Sequence, residues 1–275
     1  MTTLPPQPPP PSAPSEPHQA RDVAESFGAD AARYDRARPG YPAALIERIL
    51  AESPGSDMVD VGCGTGIAAR QLAAAGCRVL GVEVDPRMAE LARQAGIEVE
   101  VSAFEEWDTA GRRFDAVIAA QAWHWVEPVS GAAKAAQALR PGGLLAVFWN
   151  VFQLPPDLAE AIVAVYRRVL PDTPFFRRAV PSLEAYAPIF AKTGDGIRQA
   201  GGFGEPTQWS FEWQRSYTRD EWLDQVPTFG GHSRIAPEAR RELLAGIGEA
   251  VDTAGGSFLM QYTTVAVTST RNNGG

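Results

Sequence analysis

The stretch Met58-Val59-Asp60-Val61-Gly62-Cys63-Gly64-Thr65-Gly66 puts three glycines in five positions, between an apolar run and the Ala-rich run "IAARQLAAAG". Glycine weakens strands and helices alike, so three at one junction mark a turn whose backbone adopts positive φ or comes very close to something else. A short apolar strand, a tight glycine turn and a helix open a βαβ unit, and the chain continues in that rhythm. "DMVDVG", "RVLGVEV", "IEVEVS", "FDAVIAA" and "LLAVFWN" read as five strands with helical runs between most of them. Asp85-Pro86 starts one helix, with Asp as N-cap and Pro at the first helical position. Pro128 to Arg140 is another, and "PGG" turns the chain ahead of strand five. This alternation requires a parallel sheet covered on both faces. After Asn150 the rhythm changes. Residues 151 to about 200 read as helical and aromatic. "TQWSFEWQRSY" alternates Trp209, Phe211 and Trp213 as a half-buried strand. Thr218 and Glu221 predict a capping box, and "FLMQYTTVAVTST" is a last strand.

The chain of 275 residues suits one large domain or a domain plus a small partner lobe. Residues 1–20 hold eight of its 23 prolines and almost no large apolar side chain, so they read as a disordered tail ahead of a domain over 21–275. The formal charge of −8 and the presence of only two lysines, Lys134 and Lys192, argue against nucleic-acid binding. Two cysteines, Cys63 and Cys77, fit a reducing, cytoplasmic setting without a structural disulfide. No apolar run is long enough to span a membrane and no signal pattern opens the chain. With three histidines in all and both cysteines placed beside strands, a metal site is not expected.

The chemistry of the glycine junction follows from its acid. The spacing is Gly-x-Gly-x-Gly, not the Gly-x-Gly-x-x-Gly of dinucleotide binders, and Asp60 precedes it. An acid there would repel pyrophosphate but suits an amino group or a sulfonium. Glu83, at the end of strand two, lies about 20 residues past the turn, where a carboxylate accepts from both ribose hydroxyls. The ligand so described is a nucleoside with a cationic, amino-acid-like tail and no phosphate. Asp85 is a rival to Glu83 but already has work as an N-cap.

"VDVGCGTG", Glu83, the strand end "FDAVIAAQAWHWV" and the turn "LRPGG" together resemble class I S-adenosylmethionine (SAM) dependent methyltransferases over about residues 25–150. "YDRARPGYP" before the core and the His-Trp pair after strand four resemble, more narrowly, the methyltransferase type 11 group that contains trans-aconitate methyltransferases. The resemblance implies a Rossmann-like, seven-stranded, mainly parallel α/β sheet with helices on both faces and an antiparallel last strand. It also implies a helical lid over an acceptor pocket at about 151–200. Asp60, Gly62, Cys63 and Gly64 would line the methionine end, with Tyr34 and Arg38 near it. Glu83 would hold the ribose and Val84 the adenine face. Ser102, Ala103 and Phe104 would surround the adenine edge, and Ala120 and Gln121 would lie beneath the sulfonium. Many relatives carry an acid where Ser102 stands, which leaves a side-chain contact to the adenine amino group open.

His124, between Trp123 and Trp125 just past strand four, is the candidate catalytic residue, as base or positioner; packing against its aromatic neighbours is the plain alternative. Trp125, Arg177 and His232 are candidates for the acceptor pocket. Arg167-Arg168 and Arg177-Arg178 also read as solvated faces, and Trp209, Phe211 and Trp213 as sheet core. The expected activity is methyl transfer from SAM to an oxygen, a carboxylate ahead of a phenol, of a small metabolite, by a monomer or homodimer without nucleic-acid or membrane partners. An RNA methyltransferase and a non-catalytic SAM-binding regulator are the rival readings.

Overall fold

The computed structural model describes His18 and residues 26–171 and 182–273. The proline-rich tail, His18 apart, and Arg177-Arg178 lie outside the described residues. One seven-stranded sheet runs in the order β3-β2-β1-β4-β5-β7-β6. Its strands are β1 Asp57–Val61, β2 Arg78–Glu83, β3 Glu98–Val101, β4 Phe114–Ala120, β5 Leu139–Gln153, β6 Thr207–Thr218 and β7 Ser257–Thr270. The pairs β1/β2, β1/β4, β2/β3 and β4/β5 are parallel, and β7 runs antiparallel between β5 and β6.

Alternation along the strands builds two cores. Val59, Val61, Val117, Ala119, Leu145, Val147 and Trp149 turn to one face, against Ala132 and Ala135 of α5 (Pro128–Ala138) and Phe190 and Ile197 of α7 (Leu183–Ala200). Met58, Ala116, Ile118, Ala146 and Phe148 turn to the other. There they meet Leu45, Ile46 and Ile49 of α2 (Ala43–Glu52) and Ala68 and Leu72 of α3 (Ile67–Ala74). A period of two with apolar residues on both faces is what a doubly covered parallel sheet requires. α4 (Pro86–Gln94) packs Ala89 and Ala92 beside α3 and β3. A third cluster joins α6 (Pro156–Val169), α8 (Arg219–Gln225) and α9 (Pro237–Thr253) to Tyr217, Phe258, Met260 and Tyr262 on β6 and β7. The short α1 (Ala31–Ala37) precedes α2.

Asp85 caps α4 by accepting from the Arg87 N–H at 2.9 Å, and Thr218 and Glu221 form the reciprocal capping box on α8. Two expectations change. "PGG" does not stand ahead of strand five but within it: β5 starts at Leu139, with a register shift opposite Phe114/Ala116 and Gly142 at φ +76°. A bulge keeps the ladder on both sides of the irregularity, which a turn would end. The segment expected as a lid divides: α6 lies against α9, while α7 lies along α5 with Ile197 fully buried in the sheet core. α7 therefore covers the sheet, and Tyr186 near its start is only partly buried. Cys63 and Cys77 are free and buried. Among the described residues no helix is long and apolar enough to cross a membrane, and no group of three or more His, Cys, Asp or Glu could hold a metal ion.

The α5/α7 contact depends on Gly196. A Cβ there would fall 2.6 Å from the Pro128 Cβ and 2.8 Å from its carbonyl oxygen. Gly196→Val is expected to destabilise the protein by about 1–3 kcal/mol, the usual range for forced overpacking, as a drop in thermal midpoint. An unchanged midpoint would mean that the two helices are free to separate.

Candidate functional site

The carboxyl ends of β1, β2, β4 and β5 converge on the glycine junction. Gly62, Gly64 and Gly66 all have positive φ, at 62°, 55° and 85°, the region that favours glycine. The Gly62 N–H donates to the Val82 carbonyl at 2.7 Å, and a Cβ on Gly62 would sit 2.6 Å from that of Ala122. The turn is thus pressed between β2 and the end of β4. Gly66 caps α3 with no side chain over the helix start.

Asp60 stands at the base of this turn, fully buried. Neither of its oxygens has a hydrogen-bond partner among the described residues, the Ala69 N–H giving only weak support short of a hydrogen bond. Burial, with the negative charge of Glu83 nearby, pushes its carboxyl up to about 8. The buried Thr65 hydroxyl in the same turn is also without a partner. Buried polar atoms are almost always paired in native proteins, so orphans at a strand end are what a ligand satisfies. The missing partner of Asp60 is a donor, best a cation.

Glu83 ends β2, 7% exposed, and accepts from the Gly64 N–H at 2.8 Å and the Asp85 N–H at 2.9 Å. Each carboxylate oxygen so used keeps a further lone pair. Burial raises its carboxyl above the usual range. Asp85 is committed to its cap and to Arg87 at 2.7 Å. The Cys63 and Phe104 side chains are buried. The Cys63 sulfur lies against Gly81 and its thiol is raised by burial, and the Phe104 ring packs on Trp107 and Trp123 in the core. Ser102 donates its hydroxyl to the Ala103 carbonyl at 3.0 Å, and its N–H reaches the Glu83 carbonyl. Val84 and Ala120 are half-buried. Gln121 adopts φ +58°, rare for a side chain with a Cβ, and its amide donates to the Asn150 carbonyl at 3.2 Å. Such strain at a strand end clusters at functional sites.

Residues before the core close over this edge. Arg38 donates to the Thr228 carbonyl at 2.6 Å, and its guanidinium lies over the rings of Tyr34 and Phe229 at 5.0 and 4.9 Å. Its buried Nε has no hydrogen-bond partner. Tyr41, whose hydroxyl is raised chiefly by burial, feels the charges of both Asp60 and Arg38. Phe27 sets its ring edge-on against Tyr34 and Trp125 and rests near Gly230.

The two described histidines of the core differ. His232 is buried, accepts at Nε2 from the Tyr166 hydroxyl at 2.7 Å and donates from Nδ1 to the Phe229 carbonyl at 3.2 Å. Both nitrogens are spent, which removes it as a donor to an acceptor pocket. His124 is half-buried, its ring 4.7 Å from that of Trp125, and burial pulls it down to about 4. Arg177, the remaining candidate, lies outside the described residues.

Residues 59–147 match the family model described as a methyltransferase domain. The matched segment is similar to the core of class I SAM-dependent methyltransferases. An uncharacterised methyltransferase of Mycobacterium bovis is 36% identical over 132 residues, covering 47% of this chain and 54% of that protein. The chain thus spans about half the length of the mycobacterial relatives it matches. A ubiquinone biosynthesis O-methyltransferase of Cereibacter sphaeroides is 28% identical over 167 residues, covering 57% of this chain and 67% of that one. A solved structure from Anaeromyxobacter dehalogenans, described as a proposed type II methyltransferase, shares the fold at a TM-score of 0.63 and 24% identity, covering 84% of this chain and 97% of its own. The orphaned oxygens of Asp60 fit the methyltransferase cofactor, whose cationic tail they would receive.

Phe27, Asn150 and Thr264 belong to this edge and were not singled out from sequence. Asn150 donates to the Gly40 carbonyl at 3.0 Å and accepts from the Thr264 hydroxyl at 2.6 Å. An Asn closing a run of apolar β5 residues was the available signal. The raised carboxyl of Asp60 also has a consequence for stability. The folded state keeps a proton that the unfolded chain releases near the ordinary value of 3.8, so stability falls as pH rises from there through about 8. Unliganded Asp60→Asn is expected to exceed wild type by up to about 5 kcal/mol in urea unfolding at pH 7.5, the gap closing near pH 4. A variant weaker than wild type at pH 7.5 would show that the folded state already compensates the charge.

Proposed function

We propose that the protein transfers a methyl group from SAM to a carboxylate oxygen of a small metabolite. The observation that carries the reading is the buried, unpartnered Asp60 carboxylate at the glycine junction. SAM, when bound, supplies a methyl group on a sulfonium leaving group. Asp60 takes the ammonium of its tail, and Arg38, with an unpartnered Nε, takes the carboxylate. Glu83 holds the ribose hydroxyls through its remaining lone pairs, and Val84 and the backbone of 102–104 flank the adenine. Gln121 and Ala120 form the floor beneath the sulfonium. Closure by Phe27, Tyr34 and Trp125 excludes water and aligns the reacting atoms, a contribution of roughly 7–11 kcal/mol to barrier lowering where alignment is good.

The acceptor atom follows from proton accounting. An ionised carboxylate takes a methyl group with no proton to dispose of. A hydroxyl must lose one, which calls for a base near the operating pH. His232 has no free nitrogen, and His124, pulled to about 4, is a weak base at neutral pH. The donors at hand serve an acid: His124, Trp125 and Tyr34. The O-methyltransferase name of the Cereibacter relatives supports oxygen as the acceptor atom.

Glu83→Ala is expected to weaken SAM binding about tenfold or more in calorimetry, because the ribose diol loses a charged acceptor. Unchanged affinity would place the ribose elsewhere. Labelled SAM offered with small carboxylic acids, phenols and RNA should label the acids, at a rate flat from about pH 6 to 8, since His124 is neutral throughout. A rate rising tenfold per pH unit across that range, with phenols as substrates, would overturn the carboxylate reading; labelling of RNA, or of nothing despite SAM binding, would favour the rivals.

A further inference from the structure

Trp149 lies on β5, fully buried, on the sheet face covered by α5 and α7. Its ring is 5.5 Å from that of Phe190 on α7, and its Nε1 donates to Nδ1 of His124 at 3.3 Å. An indole N–H can only donate, so Nδ1 must be the accepting nitrogen, and in a neutral imidazole the hydrogen then sits on Nε2. The opposite tautomer would set two N–H groups against each other and leave a buried indole donor unpaired, which disfavours it roughly tenfold or more. Neutrality is supported by burial, which keeps the ring unprotonated near pH 7.

We propose that Trp149 is a positioning residue that fixes His124 as the Nε2–H tautomer, so that His124 meets the acceptor as a hydrogen-bond donor and not as a base. The inference deepens the reading above and rests on it for the role of the acceptor. No proton changes hands: Nε2–H holds one acceptor oxygen while the other keeps a lone pair for the methyl group. Nε2, the ring nitrogen without a hydrogen-bond partner among the described residues, is a donor, so a protonated hydroxyl gains no base from it, whereas an anionic oxygen gains a partner. Through Phe190 the helix inserted after β5 packs against Trp149.

The tautomer can be read without cofactor or substrate. The chain has three histidines, so imidazole nitrogen NMR on the full-length wild type, with His124→Gln to identify the signal, resolves the state of His124. The expected result is an Nε2–H ring with no titration between pH 5.5 and 8. An Nδ1–H ring, or a midpoint above pH 6, would overturn the proposal whether or not any variant folds. In turnover, Trp149→Phe should lower kcat about tenfold while SAM affinity holds; unchanged kcat would overturn the positioning role. His124→Gln, whose amide offers an N–H near the Nε2 position, should retain clearly more activity than His124→Phe. Equal loss in both would mark a base. Failure of the methyltransferase reading shows separately, as absence of methyl transfer by wild type with SAM bound, and leaves the tautomer result standing.

Discussion

A buried carboxylate without a partner governs the carboxyl edge of this sheet. Burying an ionised group unpaired is so costly that the group takes up a proton instead, and the rise of Asp60 to about 8 expresses that cost. The surrounding chain could have relieved it with one donor and does not. Glu83, the nearby charge, makes matters worse. The three glycines bring backbone, not donors, to the place. The stability lost at this edge is carried by the apolar faces of β1, β4 and β5, where side chains from Val59 to Phe148 are fully buried. A cation would complete the arrangement, and SAM, when bound, would bring one in the ammonium of its tail.

Much of this was legible in the sequence, because the signals are local. Strand, turn and helix at 58–74 are contiguous, the N-cap at Asp85 is read from two adjacent residues, and the alternation of Trp209, Phe211 and Trp213 is a period of two. What was illegible depends on pairing between distant positions. The Asn150 amide reaches Gly40, 110 positions away in the chain, and the Thr264 hydroxyl reaches back 114 positions to Asn150. The packing of α7 was out of reach for a related reason. A helix rich in apolar residues after the last parallel strand reads equally as lid or as sheet cover; only the close approach of Gly196 to Pro128 decides, and that needs the third dimension. Likewise "PGG" is turn chemistry in isolation, and becomes a bulge because β4 holds partners on both sides of it.

The two core histidines show why residue type alone does not assign a role. Both are pulled to about 4, chiefly by burial, so a pKa does not distinguish them. Hydrogen-bond accounting does. His232 gives Nδ1 to the Phe229 carbonyl and Nε2 to Tyr166, which ties the 226–235 loop to α6 and leaves nothing for a ligand. His124 has one hydrogen bond among the described residues, from a donor that cannot reverse direction. An imidazole held this way has its chemistry chosen by its neighbour.

That choice bears on the kind of acceptor the edge can serve. A site that must deprotonate a hydroxyl needs a basic lone pair facing the substrate, with a pKa near the working pH. At this edge the basic lone pairs are spent or suppressed: Nδ1 of His124 faces Trp149, Nε2 of His232 faces Tyr166, and Asp60 and Glu83 belong to the glycine turn. On the proposed reading, the described residues left to face the acceptor, Tyr34, His124 and Trp125, offer donors and ring faces. Donors stabilise an anion that arrives already formed, and they lower the basicity of a hydroxyl oxygen without taking its proton. On the proposed reading, the polarity of the hydrogen bonds, more than the identity of the residues, favours an ionised oxygen as the nucleophile.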